Sequence, residues 1–156
     1  MSILPIIKYP SPILEKKAKK IKDPKNPLIQ ELILNMLETM EENNGIGLAA
    51  PQIGQSLQLS VIKFENTPYI IINPKIVWRS WRKSIAEEGC LSFSGKFIPI
   101  KRYAAIKIEA LDRKGEKIQI ESNDFLARVL QHEIDHLNGV LYIERKARPT
   151  TIKKIN

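Results

Sequence analysis

Cysteine and histidine are nearly absent from this chain: one cysteine and two histidines occur in 156 residues. A lone cysteine excludes an intramolecular disulfide and fits a reducing compartment, so the cytoplasm is the expected location. There are no zinc-finger cysteine pairs, no ribonucleoprotein aromatic motif and no clear helix-turn-helix, which argues against sequence-specific nucleic-acid recognition. No apolar run approaches the ~20 residues of a membrane helix. The opening MSILPIIKYP lacks the basic start and small-residue cleavage site of a secretory signal. Neither an internal repeat nor a linker breaks the sequence, so a single domain over 1–156 is expected. Acidic residues are also in deficit, leaving a net charge of +8. Basic side chains gather in Lys16 to Lys25, in Arg79 to Lys83 with Trp78 and Trp81 interleaved, and in Arg145 to Lys154. That charge reads as general attraction to RNA or a ribosome rather than sequence readout.

The elements group by type. Asn26 can cap a helix that begins at Pro27, with Ile29, Leu32, Ile33, Met36, Leu37 and Met40 at helical spacing. Asn43-Asn44-Gly45 stops it, with Gly45 available for a left-handed cap. Strands are predicted over 57–64, 69–73, 76–81, 97–100, 104–111 and 117–121, and Asp112–Gly115 reads as a hairpin turn. A second helix starts near Ser122 or Asn123 and ends at Gly139, and Val140–Ile143 reads as a last short strand. Strands segregated from two helices predict an α+β fold: mixed or antiparallel sheets around a central helix, with an N-terminal helix.

Both histidines fall in QHEIDH, residues 131–136. At ~3.6 residues per turn His132 and His136 stack one turn apart and aim two imidazoles at one point, with Glu133 able to reach it as a general base. This is the spacing by which a helix holds a divalent metal and activates water. Phe125 and Val129 continue the histidine line as an apolar stripe, so the imidazoles face inward and need partners. A pair of core histidines bonded to backbone carbonyls is the plainer alternative, but it leaves Glu133 unexplained. Cys90, in Glu87-Glu88-Gly89-Cys90-Leu91-Ser92, is the soft third ligand that the chain can offer, leaving a fourth position open. The N–H of Leu91 would then sit near the metal. The loop Gly45-Ile-Gly-Leu-Ala-Ala-Pro-Gln-Ile-Gly54 is neither a dinucleotide fingerprint, since a helix precedes it and Pro51 follows, nor a P-loop. It presents Gln52, whose amide can donate to a developing oxyanion.

Together GIGLAAPQIG, EGCLS and HEIDH resemble, in order, the three signatures of the peptide deformylase family, and the similarity covers nearly the whole chain. The resemblance implies metal ligation by Cys90, His132 and His136, acid/base catalysis by Glu133, and oxyanion stabilisation by Gln52 and the Leu91 amide. It also implies that Gly47 lines the substrate cleft. The expected reaction removes formyl from the N-terminal formyl-methionine of nascent chains and releases formate. The expected cofactor is one divalent metal, Fe2+ in the first place, with Zn2+, Ni2+ or Co2+ able to occupy the site. A cytoplasmic monomer is expected, with its basic surface available to the ribosome. Two features depart from the family pattern. Phe93-Ser94-Gly95 follows EGCLS where a proline is common, and the chain stops at Asn156 without a long basic C-terminal helix. Behind the ligands, a supporting pair between Asp135 and Arg102 is expected.

The nearest rival is a zinc endopeptidase that uses HExxH. It takes a third ligand downstream of the helix, and Glu144 is the sole acidic residue after His136. A noncatalytic RNA-binding module with a structural metal would need a fourth soft ligand, which the chain lacks.

Overall fold

The computed structural model describes residues 2–148; the end of the basic tail, including Pro149, lies outside them. Helix α1 spans Pro27–Glu42, and Asn26 caps it by accepting the Leu28 N–H at 2.9 Å. Seven strands follow: β1 (Gly47–Ala49), β2 (Leu59–Phe64), β3 (Thr67–Arg79), β4 (Lys83–Cys90), β5 (Phe93–Tyr103), β6 (Ala105–Leu111) and β7 (Lys117–Asn123). Helix α2 spans Asp124–Leu137. One sheet has the order β1-β2-β3-β6-β7, and β4 and β5 form a separate hairpin; all named pairings are antiparallel.

Alternation along β2 explains the layering, since successive strand residues point to opposite faces. Leu59 and Val61 join Ile33, Met36 and Met40 of α1 in one core, while Ile62 faces Leu126, Ala127, Leu130 and Ile134 of α2 in another. The large sheet is therefore covered by a helix on each face. A third core, Leu14, Phe93, Ile100, Leu141 and Tyr142, seats the hairpin beside α2.

Several elements differ from expectation. The strands predicted over 69–73 and 76–81 are one strand, β3, whose pairing shifts between Ile72 and Lys75. Asn73 there has φ of 50° and Pro74 has no N–H to give, so the ladder bends instead of ending. Asn44, with φ of 53°, takes the left-handed position expected of Gly45. Residues 140–143 do not form a strand, because a 3-10 turn occupies Tyr142–Arg145. Strand β4 has no counterpart among the predicted strands; most of its side chains are exposed, so it carries little apolar alternation. Phe125 is half-exposed at the mouth of a cleft rather than buried on the stripe with His132 and His136.

Candidate active site

Four segments meet over the inner face of α2. Three donor atoms from Cys90, His132 and His136 lie within 4.8 Å of one another. His136 Nε2 sits 3.2 Å from His132 Nε2 and 3.3 Å from Cys90 Sγ. Both histidines are buried on the helix, and Cys90 arrives at the end of β4 where the β4–β5 register slips. Gly89 permits that approach: a Cβ there would lie 2.5 Å from Cε1 of Phe97, whose ring folds across from β5.

Glu88 fixes the first imidazole. Its Oε1 accepts from His132 Nδ1 at 2.8 Å, which turns Nε2 of that ring toward the thiol and the other histidine. Arg102 donates to both oxygens of Glu88, each at 3.0 Å, and Arg128 donates to Oε2 at 2.7 Å. Arg102 also bonds Asp135, so that pairing stands as expected, and Arg145 bonds Asp135 from outside. Burial alone would raise the Glu88 pKa, but hydrogen bonds from His132 and Arg102 outweigh it and hold the carboxyl at about 2.

The two imidazoles are pushed in opposite directions. Burial disfavours protonation of His132, yet its contacts with Cys90 and Glu88 overcome this and raise its pKa to about 10. His136 is pushed well below its ordinary value by burial and by His132, which leaves it neutral. One sulfur and two imidazole nitrogens converge here, one ring oriented by a carboxylate, and these are donor types that a divalent cation takes. These residues suit such a metal.

Glu133 lies beside them, almost wholly buried, with Ser60 Oγ 3.4 Å from its Oε2. Burial dominates its titration and lifts the pKa to about 7, against the lowering effects of His132 and Ser60. Gln52, in the short 3-10 turn Ala50–Ile53, has a fixed orientation. Its Oε1 accepts the Ala49 N–H at 2.9 Å, so its amide nitrogen faces Ser92 Oγ at 3.2 Å and Cys90 Sγ at 3.5 Å. The Leu91 carbonyl accepts from Lys8 Nζ at 2.6 Å, which ties down the peptide after the cysteine.

A cleft of about 470 Å³ opens over this cluster. Gly45 to Gly47 form one wall, Glu87 to Leu91 the other, and Phe125 and Val129 lie along the helix; Gly47, Gln52, Cys90, Leu91, His132 and Glu133 all line it. The segment Phe93-Ser94-Gly95 also lines it, so the departure from the family pattern falls on a cleft wall. His136 lies behind. The geometry thus brings together all seven residues singled out from sequence. Sequence reasoning gave no role to Glu88, Arg128, Ser60 or Ser92. Arg128 could have been found, since it sits four residues before His132 on the same inward helix face.

The chain is similar to known proteins over nearly its whole length. The family described as polypeptide deformylase matches residues 3–151. A peptide deformylase of Thermodesulfovibrio yellowstonii is 47% identical over 150 residues, covering 93% of this chain and 90% of that protein. One from Dictyoglomus thermophilum is 43% identical over 145 residues, covering 93% and 94%. Among solved structures, the peptide deformylase of Thermotoga maritima superposes with a TM-score of 0.92 at 40% identity, over 95% of this chain and 100% of that one. A peptide deformylase of Synechococcus elongatus, solved in complex with actinonin, gives 0.89 at 36% identity, over 93% and 79%.

Proposed function

Because the chain belongs to the polypeptide deformylase family, we propose that Cys90, His132 and His136 hold its metal, that Glu133 moves the protons, and that Gln52 and the Leu91 N–H stabilise the oxyanion. The protein is a metal-dependent hydrolase that removes the formyl group from the N-terminal formyl-methionine of nascent polypeptides and releases formate. The observation carrying the residue assignment is the convergence of one thiol and two imidazole nitrogens beside a buried carboxylate, at the floor of a cleft.

A divalent cation held by these three donors supplies Lewis acidity, which makes water a nucleophile near neutral pH. Fe2+ is the proposed native ion, with Zn2+, Ni2+ or Co2+ able to take its place, since a soft thiolate with two imidazoles accommodates each of them. Glu133, with a pKa near neutrality, takes the proton from water as the formyl carbon is attacked and returns it to the leaving amine. The Gln52 amide nitrogen, turned toward the centre by Ala49, donates to the formyl oxygen as negative charge develops there. Glu88 keeps His132 in the tautomer that leaves Nε2 free. Gly47 leaves the cleft wall open for the formyl-methionine to lie along it.

The endopeptidase alternative gains no support. Glu144, its candidate third ligand, accepts the Leu141 N–H at 2.6 Å within its own turn. The whole chain, 1–156, is proposed to act as a single catalytic domain and as a cytoplasmic monomer that meets the ribosome through its basic surface. The test is formate release from a formyl-methionyl peptide by anaerobically prepared protein, with metal content measured on the same sample. Cleavage of internal peptide bonds without formate release would overturn the reading.

A further inference from the structure

The turn between β3 and β4 lies far from the chemistry and presents an unusual surface. Trp81 at its tip is 96% exposed, and Trp78, earlier in the same segment, is half-exposed. An indole that gains nothing from burial is uncommon on a lone soluble domain, since its large apolar area is normally covered. The turn is not a loose loop. Ser80 Oγ accepts the Ala105 N–H at 3.0 Å and donates to the Arg82 carbonyl at 2.7 Å, while the Ser80 and Ala104 N–H groups bond the Ala105 and Arg82 carbonyls. The backbone therefore holds Trp81 outward on a rigid platform.

Cations surround that platform. Arg79 and Lys83 sit over the Tyr103 ring at 5.2 and 4.9 Å, and Arg82 is exposed between them in sequence. The ion pairs among the described residues include none of Arg79, Arg82 and Lys83. Lys107, over the Trp78 ring at 5.7 Å, is the exception nearby, because Glu121 pairs with it. Unneutralised cations next in sequence to an exposed indole supply the pairing that binds unstacked bases: the ring stacks and the cations take the flanking phosphates.

We propose that the β3–β4 turn, with Trp81 as its stacking residue, is a docking surface for an unpaired, loop-exposed base of ribosomal RNA. The proposal rests on the reading that the substrate is a nascent chain, which is presented by an RNA-surfaced machine. Charge complementarity selects RNA over a lipid surface. A membrane needs a contiguous apolar face, and here Arg79 separates the two tryptophans while Lys107 covers one of them. Spacing also suits the role. Lys83 and Cys90 stand at opposite ends of β4, about 23 Å apart at ~3.3 Å per residue, so an RNA on the turn leaves the cleft free for a chain end.

The protein carries its own probe, since its two tryptophans are both in this patch. Metal-loaded Trp78→Phe protein, with Trp81 as sole tryptophan, is titrated with a short single-stranded oligoribonucleotide, with purified ribosomes and with phosphatidylglycerol vesicles. Saturable quenching of Trp81 by RNA that weakens with salt is expected. In the natural background, Trp81→Ala should weaken ribosome binding about fivefold or more, and Trp81→Phe should restore most of it. Arg82→Gln with Lys83→Gln should lower the salt slope by about one for each phosphate that is no longer neutralised. Turnover of a free formyl-methionyl peptide should be unchanged in every variant; its absence in the parent protein would count against the catalytic reading and not against this one. Unquenched Trp81, a smaller effect of Trp81→Ala, or binding confined to the vesicles would overturn the proposal.

Discussion

Glu133 occupies the space that a side chain on Gly47 would need: a Cβ built there would lie 2.8 Å from Glu133 Cδ and 3.0 Å from Cγ. The short strand β1 can press against α2 at this point only without a side chain. Gly47→Ala should therefore displace the Glu133 carboxylate while leaving the three metal donors in place. The expected result is a fall in kcat of about 10²-fold, within the range that general acid–base catalysis supplies, at unchanged metal content. Near-normal kcat would show that the carboxylate has room to spare.

Glu133→Gln keeps the shape and removes the base. Turnover should drop by roughly 10²–10⁴-fold, or further because two proton transfers are involved, with metal still bound. Retention of near-wild-type activity would sink the assignment.

For Gln52→Ala a fall in kcat of roughly 10²–10³-fold is expected with a smaller rise in KM, because the amide donor strengthens its bond as charge develops. A change in KM alone would make Gln52 a ground-state binding residue. Its bond to Ala49 adds a control: Gln52→Glu retains the oxygen that accepts that N–H but has no amide donor, so it should be as impaired as the alanine variant.

Glu88→Ala leaves Arg102 with Asp135, takes from the buried Arg128 the carboxylate it pairs with, and frees the His132 ring to turn. Breaking a buried ion pair from one side costs roughly 3–5 kcal/mol, and removal of the carboxylate behind a ligating imidazole typically weakens metal binding about 10–100-fold. Thermal unfolding and a competitive chelator titration measure the two effects. If affinity holds while stability falls, Glu88 serves the fold alone.

Cys90 should be a thiolate when it ligates, and a thiolate on ferrous iron is open to oxygen. The iron form should lose activity in air, while zinc and nickel forms persist. Cys90→Ser should bind metal more weakly, since oxygen replaces a soft donor poorly. Full occupancy and activity in Cys90→Ala would return Cys90 to the role of a packing residue.

Much of the frame was legible because it rests on local signals. Asn26-Pro27 with a periodic apolar face marks α1, and the alternation of Ile106, Ile108 and Ala110 marks β6. The three candidate metal donors, which the structure brings together, were legible through scarcity, since few residues of the right chemistry exist. Strand β4 was not legible: among the described residues it pairs only with β5, and it leaves Ile85 and Ala86 exposed, so no hydrophobic pattern announces it. The same blindness hid Glu88. Glu87 and Glu88 are chemically identical, and only the pleat of a strand absent from the sequence pattern sends one to solvent and the other to His132. The swap of Asn44 for Gly45 at the end of α1 has a similar origin, because asparagine also tolerates the left-handed conformation.

Cys90 comes from the small hairpin, whereas both histidines come from the helix that packs against the larger sheet. An ion held by all three is therefore a clasp between two substructures, and its affinity adds to the cohesion of the whole. At one hundred times its dissociation constant, a ligand specific to the native form adds ~2.7 kcal/mol, comparable to a substantial core repair. Stripping the ion should thus release the hairpin before the helices melt, so that proteases attack residues 83–103 first. The supply of metal in a cell would then govern how long each molecule survives as well as whether it works.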